Sequence, residues 1–501
     1  MGRVKTALIS VSDKGGLAEF AGALARMGVK IVASGGTRTH LAGCGVEAVE
    51  TSVLTGTREF LGGLVKTLHP AIHAGILARR EDPAHMRELA ALGYEKIDMV
   101  VVDFYPLGEA KRGRDLSFID IGGPAMARAA AKNFASCVPV THPSWYEPVL
   151  RALADGGDID AGMRWDLARD AIRRTGMYDA SVLSLTSASS DADRVPATVL
   201  LGLTRRLELR YGENPHQAAG FFTPGGAPGF DVIKGEVSYN NILDIDCSTA
   251  LLDEFTKRAA VVIKHAGPCG VAEGADGPEA LRRAYACDPL SAFGGVVGLN
   301  FPFSAACAGF LAGKFVECII APAFDEDALA SLSKKKRTRL VAVRGRPGGV
   351  YSMRTALGGM LIQTGDDTLL AADLDFVTGR PGDEMTEDLI FAWKAVKHAR
   401  SNAVVFARSG ATIGIGAGQP SRVDSTKTAI RKAREGGHDL EGSVMASDGF
   451  FPFPDSIELA AEVGARAVIQ PGGSIRDKEV IERAKELGIA MALTHTRHFR
   501  H

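Results

Sequence analysis

The chain has little from which to build a disulfide or metal framework. Its seven cysteines (Cys44, Cys137, Cys247, Cys269, Cys287, Cys307 and Cys318) are odd in number and scattered, and no two have C-x-x-C spacing. Reduced thiols and no metal site are therefore expected. No stretch approaches the ~18 consecutive apolar residues that span a bilayer. An excess of one charge is also lacking. Lys and Arg number 58 against 59 Asp and Glu, a formal net charge of −1, which argues against a general nucleic-acid binder. In that balance the run Lys334-Lys-Lys-Arg337 reads as a solvated surface turn. Met1-Gly-Arg-Val-Lys-Thr6 leads into a strand-like run without the apolar core of a secretory signal, so a cytoplasmic protein is expected. Short-period repeats and long low-complexity tracts are missing too.

What is present is ample material for folded cores. A length of 501 residues with 46% hydrophobic and 23% charged side chains predicts two to four domains. Val4–Ser10 reads as a strand, and Leu17, Phe20, Ala21 and Leu24 mark one face of a helix. Gly28 stops that helix and Val29–Ala33 forms the next strand. Strand, helix, strand at this spacing predicts a parallel α/β sheet. A further strand, Ile97–Phe104, ends at Tyr105-Pro106, and helical patterns follow at 125–133 and 145–154. The Ser- and Ala-rich stretch Ser187–Asp193 is the most linker-like in the chain and places a boundary within 186–203. The expected domains are 1–195 and 204–501. Near the end come a strand at Ala467–Gln470, a turn at Pro471–Gly473, a helix at Arg476–Leu487, a stop at Gly488 and a strand at Ile489–Leu493.

Ser10-Val-Ser12-Asp-Lys14 lies where a strand gives way to a helix, and Ser34-Gly-Gly36-Thr37 repeats that placement. Such turns expose N–H groups and hydroxyls at one mouth of a sheet, which suits a phosphate. Lys66-Thr67-Leu-His-Pro70 and Asp120-Ile-Gly-Gly123 strengthen the reading. In the second half, Lys264-His265 caps the apolar run Ala259–Ile263. Histidine titrates near neutrality, so a Lys-His pair at a strand end suits acid–base work. Met445–Asp455, Ile469–Asp477 and Arg497–His501 combine aromatics, prolines and charges in a way that suits a binding wall.

Together with Arg210-Tyr211-Gly-Glu-Asn-Pro-His-Gln217 and Lys264-His-Ala-Gly-Pro-Cys-Gly270, these motifs resemble one family. It is the bifunctional purine-biosynthesis enzymes that join aminoimidazole-carboxamide ribonucleotide (AICAR) transformylase to inosine monophosphate (IMP) cyclohydrolase. The resemblance runs in order from Val4 to His501. It implies an α/β architecture: a methylglyoxal-synthase-like parallel-sheet domain, then a transformylase region of two cytidine-deaminase-like subdomains. It implies Lys66, Tyr105, Asp120 and Lys132 as the cyclohydrolase set, with Lys132 moving the proton, and Ser12, Lys14, Ser34, Gly36, Thr37 and Thr67 around the nucleotide. For formyl transfer it implies His265 as base and Lys264 as the group stabilising the oxyanion or protonating the leaving folate nitrogen. Arg210, Tyr211, Arg422 and Arg497 would anchor the nucleotide. Asn240, Gly294, Glu317, Asn402 and Asp455 would contact nucleotide or folate, with Phe450 and Phe451 as apolar walls. The implied co-substrate is 10-formyltetrahydrofolate, with no tightly bound cofactor, a monovalent cation left open, and a homodimer as the working form.

Three positions depart from the family pattern. Leu64 replaces an arginine and deletes a cationic fork. Asp103 replaces an asparagine and sets a negative charge near an anionic ligand, for which Arg38 or Arg128 would have to compensate. Gly267 stands where bacterial members commonly carry asparagine. The alternatives are a transformylase with an impaired cyclohydrolase half, or a first half acting as a nucleotide sensor. Zinc-dependent deamination is excluded, because Pro268-Cys269-Gly-Val-Ala272 lacks a second cysteine and His265 is followed by Ala266-Gly267.

Overall fold

A computed structural model describes residues 4–107, 116–187, 195–224, 228–346 and 351–501. The chain forms two compact units, Met1–Leu203 and Thr204–His501. Most of the linker-like stretch, residues 188–194, lies outside the described residues.

The first unit is built on a five-stranded parallel sheet. Its strands are β1 (Thr6–Ser10), β2 (Lys30–Ala33), β3 (Val49–Glu50), β4 (Met99–Val102) and β5 (Val138–Val140), in the order β3-β2-β1-β4-β5. β1, β2 and β4 start and stop within about two residues of the expected bounds, as fraying ends allow, while β3 and β5 were not expected. Period-two alternation sends Ala7 and Ile9 into a core with Leu17, Phe20 and Leu24, and Leu8 into a second core with Ile72, Ile76 and Met126. Phe20 stacks on Tyr146 with centroids 4.2 Å apart. Burying a ring such as Phe20 contributes roughly 2–3 kcal/mol. The parallel register aligns Ser10 with Val102 and Ile9 with Ala33. The loops after β1, β2 and β4 therefore leave the sheet at the same end, where ligands of open α/β sheets bind.

The second unit holds one twelve-stranded sheet. Its order is Asp375–Phe376, Ala490–Leu493, Ala467–Gln470, Val444–Ser447, Val404–Arg408, Ala411–Gly416, Gly267–Glu273, Ala259–Lys264, Val296–Leu299, Cys318–Ala321, Arg339–Val343 and Phe230–Lys234. The order is a duplication. In each half a hairpin (259–273 or 404–416) pairs with a strand that starts a run of three parallel strands, and an antiparallel strand closes the edge. The halves meet where Ala272 faces Ala411.

The same residues make the same close approach in each half. Gly270 lies under Ala284 and Gly414 under Ala429, where an added Cβ would come within 1.9 Å and 2.4 Å of the helix carbonyls. Only glycine lets helix and strand pack that tightly. The pair of similar subdomains implied by the family resemblance is thus a single continuous sheet with an internal repeat.

Candidate active sites

In the first unit the sequence-predicted residues other than Lys132 gather at the mouth where β1, β2 and β4 end. The Ser10 and Ser34 hydroxyls are 2.9 Å apart. Lys14 Nζ donates to Thr37 Oγ1 at 3.1 Å and to the Val11 carbonyl, while Thr37 Oγ1 also accepts the Val11 N–H at 3.3 Å. Burial pushes the Lys14 ammonium down, against the pull of Asp103 and Asp13. Ser12 and Gly36 are exposed at this mouth. A Cβ on Gly35 would lie 3.6 Å from Lys66 Nζ, and one on Gly122 would lie 2.8 Å from Thr67 Oγ1. The segment 66–67 is thereby wedged between the second and last loops.

Asp120 closes the mouth. Its Oδ1 accepts the Gly123 N–H at 2.9 Å and its Oδ2 the Tyr105 N–H at 3.4 Å, while its own N–H donates to the Tyr178 hydroxyl at 2.8 Å. Burial raises the Asp120 carboxyl above its ordinary value, partly offset by those N–H donors. Tyr105 is exposed beside it. Lys132 is exposed at the far end of the helix Gly122–Lys132, about 15 Å along the axis from Gly122. Lysine side chains on a helix lean back toward its N-terminus, which shortens that gap.

Two residues outside the expected set join in. Glu59 pairs with Lys66 at 3.3 Å, and Tyr178 reaches in from the helix Ala161–Ser187. Neither carries a local signal, because each is brought in from a separate element.

The expected conflict at Asp103 is resolved differently from the expectation. Its carboxylate accepts the N–H groups of Ser12 and, at 2.7 Å, Asp13. Burial raises its carboxyl, while those donors and Lys14 draw it back. The charge is absorbed by the loop itself. Arg38 donates to the Ala48 carbonyl at 3.3 Å, and Arg128 pairs with Asp179 at 2.5 Å. Leu64 is 79% exposed.

In the second unit, strand directions bring the expected residues to one end of the sheet. Lys264 ends its strand there, and the register sets Ile263 beside Val296, Val296 beside Cys318 and Cys318 beside Arg339. One residue further along, the same register puts Lys264, Gly295, Glu317 and Thr338 in a row with about 4.8 Å between neighbouring strands, and Gly294 and Arg339 each adjoin it by one residue. Lys264 Nζ donates to the Phe293 carbonyl at 2.8 Å, and Gly294 donates its N–H to Phe315 at 2.9 Å. His265 is exposed at the hairpin tip.

Beside this row lies a cavity of about 520 Å³, lined by Arg210, Tyr211, Ser238, Glu317 and the basic residues Lys336, Arg337 and Arg339. Arg210 packs over the Tyr211 ring at 4.9 Å, and Arg337 over Phe315 at 4.8 Å. Glu317 accepts from Arg339 and from Asn241, both at 3.2 Å. The run read as a solvated turn thus supplies cationic walls. Asn240 is exposed one residue after the helix start at Tyr239 and donates to the Glu213 carbonyl at 3.3 Å.

The remaining residues gather at the same end of the sheet but in the other half. Asn402 precedes the strand 404–408, and its Oδ1 accepts from Arg422 at 2.8 Å. Arg422 is buried, and its guanidinium also donates to Asp448 and to Ser447 Oγ at 2.7 Å. It is therefore the counter-charge of a sealed carboxylate, and not a free anchor in the cavity beside Arg210. Arg497 is exposed over the Phe499 ring at 4.3 Å. Phe499 and Arg422 both press on Gly449, where a Cβ would lie 2.6 Å from each. Asp455 opens the helix Asp455–Glu462. Phe450 is 37% exposed, whereas Phe451 is 0% exposed and belongs to the core with Ile457 and Val468. Of the two expected apolar walls, only Phe450 can face a ligand.

Among the described residues no group of three or more His, Cys, Asp or Glu could hold a metal ion. Among the same described residues, no helix is long and apolar enough to cross a membrane.

Comparison with known proteins matches residues 130–432 to the family described as AICARFT/IMPCHase bienzyme, and residues 16–124 to the MGS-like domain. The bifunctional purine biosynthesis protein PurH of Persephonella marina is 45% identical over 100% of this chain and 100% of its own length. That of Acidithiobacillus ferrooxidans is 44% identical, again over 100% of both. That of Chelativorans sp. is 47% identical over 99% of this chain and 97% of its own. With a family match across more than half its length and relatives aligned end to end, the chain belongs to the AICARFT/IMPCHase bienzyme family.

Proposed function

We propose that Lys264 and His265 carry formyl transfer in the second unit, and that the mouth around Asp120 carries ring closure in the first. The chain is a bifunctional purine-biosynthesis enzyme, an AICAR formyltransferase and an IMP cyclohydrolase. The observation that carries the residue assignment is the row along the sheet end. It sets an exposed imidazole and an ammonium beside a cavity walled by four cationic side chains.

The AICAR amine is conjugated with its carboxamide and is a weak nucleophile, so its attack on a formyl carbon needs a base. His265 takes the amine proton as the new C–N bond forms. Lys264 stabilises the oxyanion that develops on the formyl oxygen. Collapse breaks the bond to N10 of 10-formyltetrahydrofolate, and that nitrogen leaves as tetrahydrofolate after taking up a proton. Arg210, Tyr211 and the cavity cations hold the nucleotide, with Asn240, Gly294 and Glu317 beside it. Phe450, Asn402, Asp455 and Arg497 border the flat ring of the folate or nucleotide. Arg422 acts on that wall by holding Asn402 and Asp448 in place.

Ring closure joins the carboxamide nitrogen to the formyl carbon and expels water. Both groups belong to one molecule, so most of the work is holding them in reactive geometry. Ser12, Lys14, Ser34, Gly36, Thr37 and Thr67 hold the nucleotide. Lys66, Tyr105, Asp120 and Lys132 move the protons on and off the amide and the departing hydroxyl.

Asp448, a fully enclosed carboxylate at the second site, draws its counter-charge from Arg422. A homodimer in the cytoplasm is the working form. The test assays the activities separately. His265→Ala abolishes tetrahydrofolate release but leaves ring closure of supplied formyl-AICAR, and Lys132→Ala does the reverse. If His265→Ala keeps full transformylase turnover, the base is elsewhere.

A further inference from the structure

Both halves of the second unit turn their hairpin over two residues in the left-handed region. In the first half these are His265 (φ 54°) and Ala266 (φ 54°), and in the second Ser409 (φ 52°) and Gly410 (φ 67°). Positive φ at both central positions matches the twist of the strands but favours glycine, asparagine or aspartate. The second half complies at Gly410. The first places a histidine and an alanine there, each with a Cβ crowded against a backbone carbonyl.

A helix aspartate holds each turn. Asp388, the sixth residue of the helix Asp383–Lys397, accepts the N–H of Ser409 and of Gly410, both at 2.7 Å. Asp244, the sixth residue of the helix Tyr239–Leu252, accepts the N–H of Ala266 at 2.6 Å. One helical turn on, Cys247 Sγ donates to the Ala266 carbonyl at 3.3 Å. An aspartate at the same helix position therefore holds each turn, but only Asp244 grips one that carries an imidazole and costs more to form.

We infer that Asp244 is a positioning residue for formyl transfer: it holds the His265–Ala266 turn left-handed and so aims the His265 imidazole at the amine. This rests on the reading of His265 as the base. The direction of the His265 Cα–Cβ bond follows from its φ, so a turn that relaxes to negative φ swings the ring away from the Lys264 row. Asp388 supplies the control inside the same molecule, since its turn bears no group of either site.

The experiment compares Asp244→Asn, Asp388→Asn, Ala266→Gly and the double variant Asp244→Asn/Ala266→Gly. Asparagine keeps the size but turns the charged acceptor of the Ala266 N–H into a neutral amide oxygen, a bond roughly half as strong. Asp244→Asn is expected to lower transformylase kcat about 10- to 100-fold with KM for AICAR within about threefold, because a small misplacement of a base acts on the chemical step. Asp388→Asn stays within about twofold, and ring closure of supplied formyl-AICAR is unchanged in every variant. Glycine removes the steric cost that the clamp offsets, so the double variant returns to within about fivefold of Ala266→Gly alone.

The inference is overturned if Asp244→Asn costs no more kcat than Asp388→Asn, or if the double variant stays as slow as Asp244→Asn. Should Asp244→Asn fail to fold, the double variant against Ala266→Gly decides by the same criterion. His265→Ala, run in parallel, separates the two claims. If it keeps turnover, the base assignment fails. If it loses turnover while Asp244→Asn does not, only the role of Asp244 fails.

Discussion

Asp103 grips the backbone of Asp13, its Oδ2 accepting the Asp13 N–H at 2.7 Å while Oδ1 accepts that of Ser12. Both oxygens are in use, so the carboxylate fixes the loop that carries Lys14. Asp103→Asn leaves one of the two donors without an acceptor, a loss of roughly 1.5–3 kcal/mol for a bond to a charged group. The expected outcome is IMP binding weakened about 10-fold, measured by calorimetric titration. Tighter binding would mean that the charge repels the nucleotide more than the loop needs it.

Asp120 gives a prediction of opposite sign for stability and activity. Burial raises its carboxyl in the folded state, so the native chain holds a proton that the unfolded chain releases near pH 3.9. Its contribution to stability therefore declines as pH rises through that window, and the penalty is complete above the folded pKa. Asp120→Asn removes this falling limb. The difference in Tm between variant and parent moves in favour of the variant from pH 4 to 7, while cyclohydrolase kcat drops about 10²- to 10⁴-fold. A difference in Tm that does not change with pH contradicts the assignment.

Glu254 behaves the other way. Burial alone would raise its carboxyl, but hydrogen bonds from His398 and Lys397 bring it down to about 2. Its stabilisation is present above the ordinary carboxyl range and is lost as pH falls toward 2. Glu254→Gln is expected to cost the second unit about 3 kcal/mol at pH 7, with the deficit shrinking below pH 4. Denaturant unfolding at the two pH values checks it.

Arg337 lines the cavity with Arg210 and Tyr211. Arg337→Ala is expected to raise KM for AICAR about 10-fold at nearly constant kcat, the pattern of lost uniform binding. A fall in kcat with unchanged KM would place Arg337 outside the nucleotide pocket.

The sequence made the first unit readable, because β1, the helix Leu17–Arg26 and β2 follow one another with clean periodicity. The phosphate-type turns after β1 and β2 fell at the same sheet end for the same reason. Arg337 and Arg339 were not readable as a binding wall. A charge run is usually solvated, and here it reaches the cavity only because the strand Arg339–Val343 pairs with Cys318–Ala321. Arg422 and Phe451 carried the right chemistry for a ligand, yet Asp448 and the core claim them. Burial depends on contacts far apart in sequence, and no local pattern records it. The clamp at Asp244 and Asp388 was hidden for a related reason: the halves share topology and key positions, not a visible repeat of residues.

The most direct test supplies purified protein with AICAR and 10-formyltetrahydrofolate and follows tetrahydrofolate and IMP separately. Two working sites predict that both products rise together, with formyl-AICAR staying low. Tetrahydrofolate without IMP, as formyl-AICAR accumulates, would contradict the account of the first unit and trace the fault to the mouth where Leu64 stands exposed.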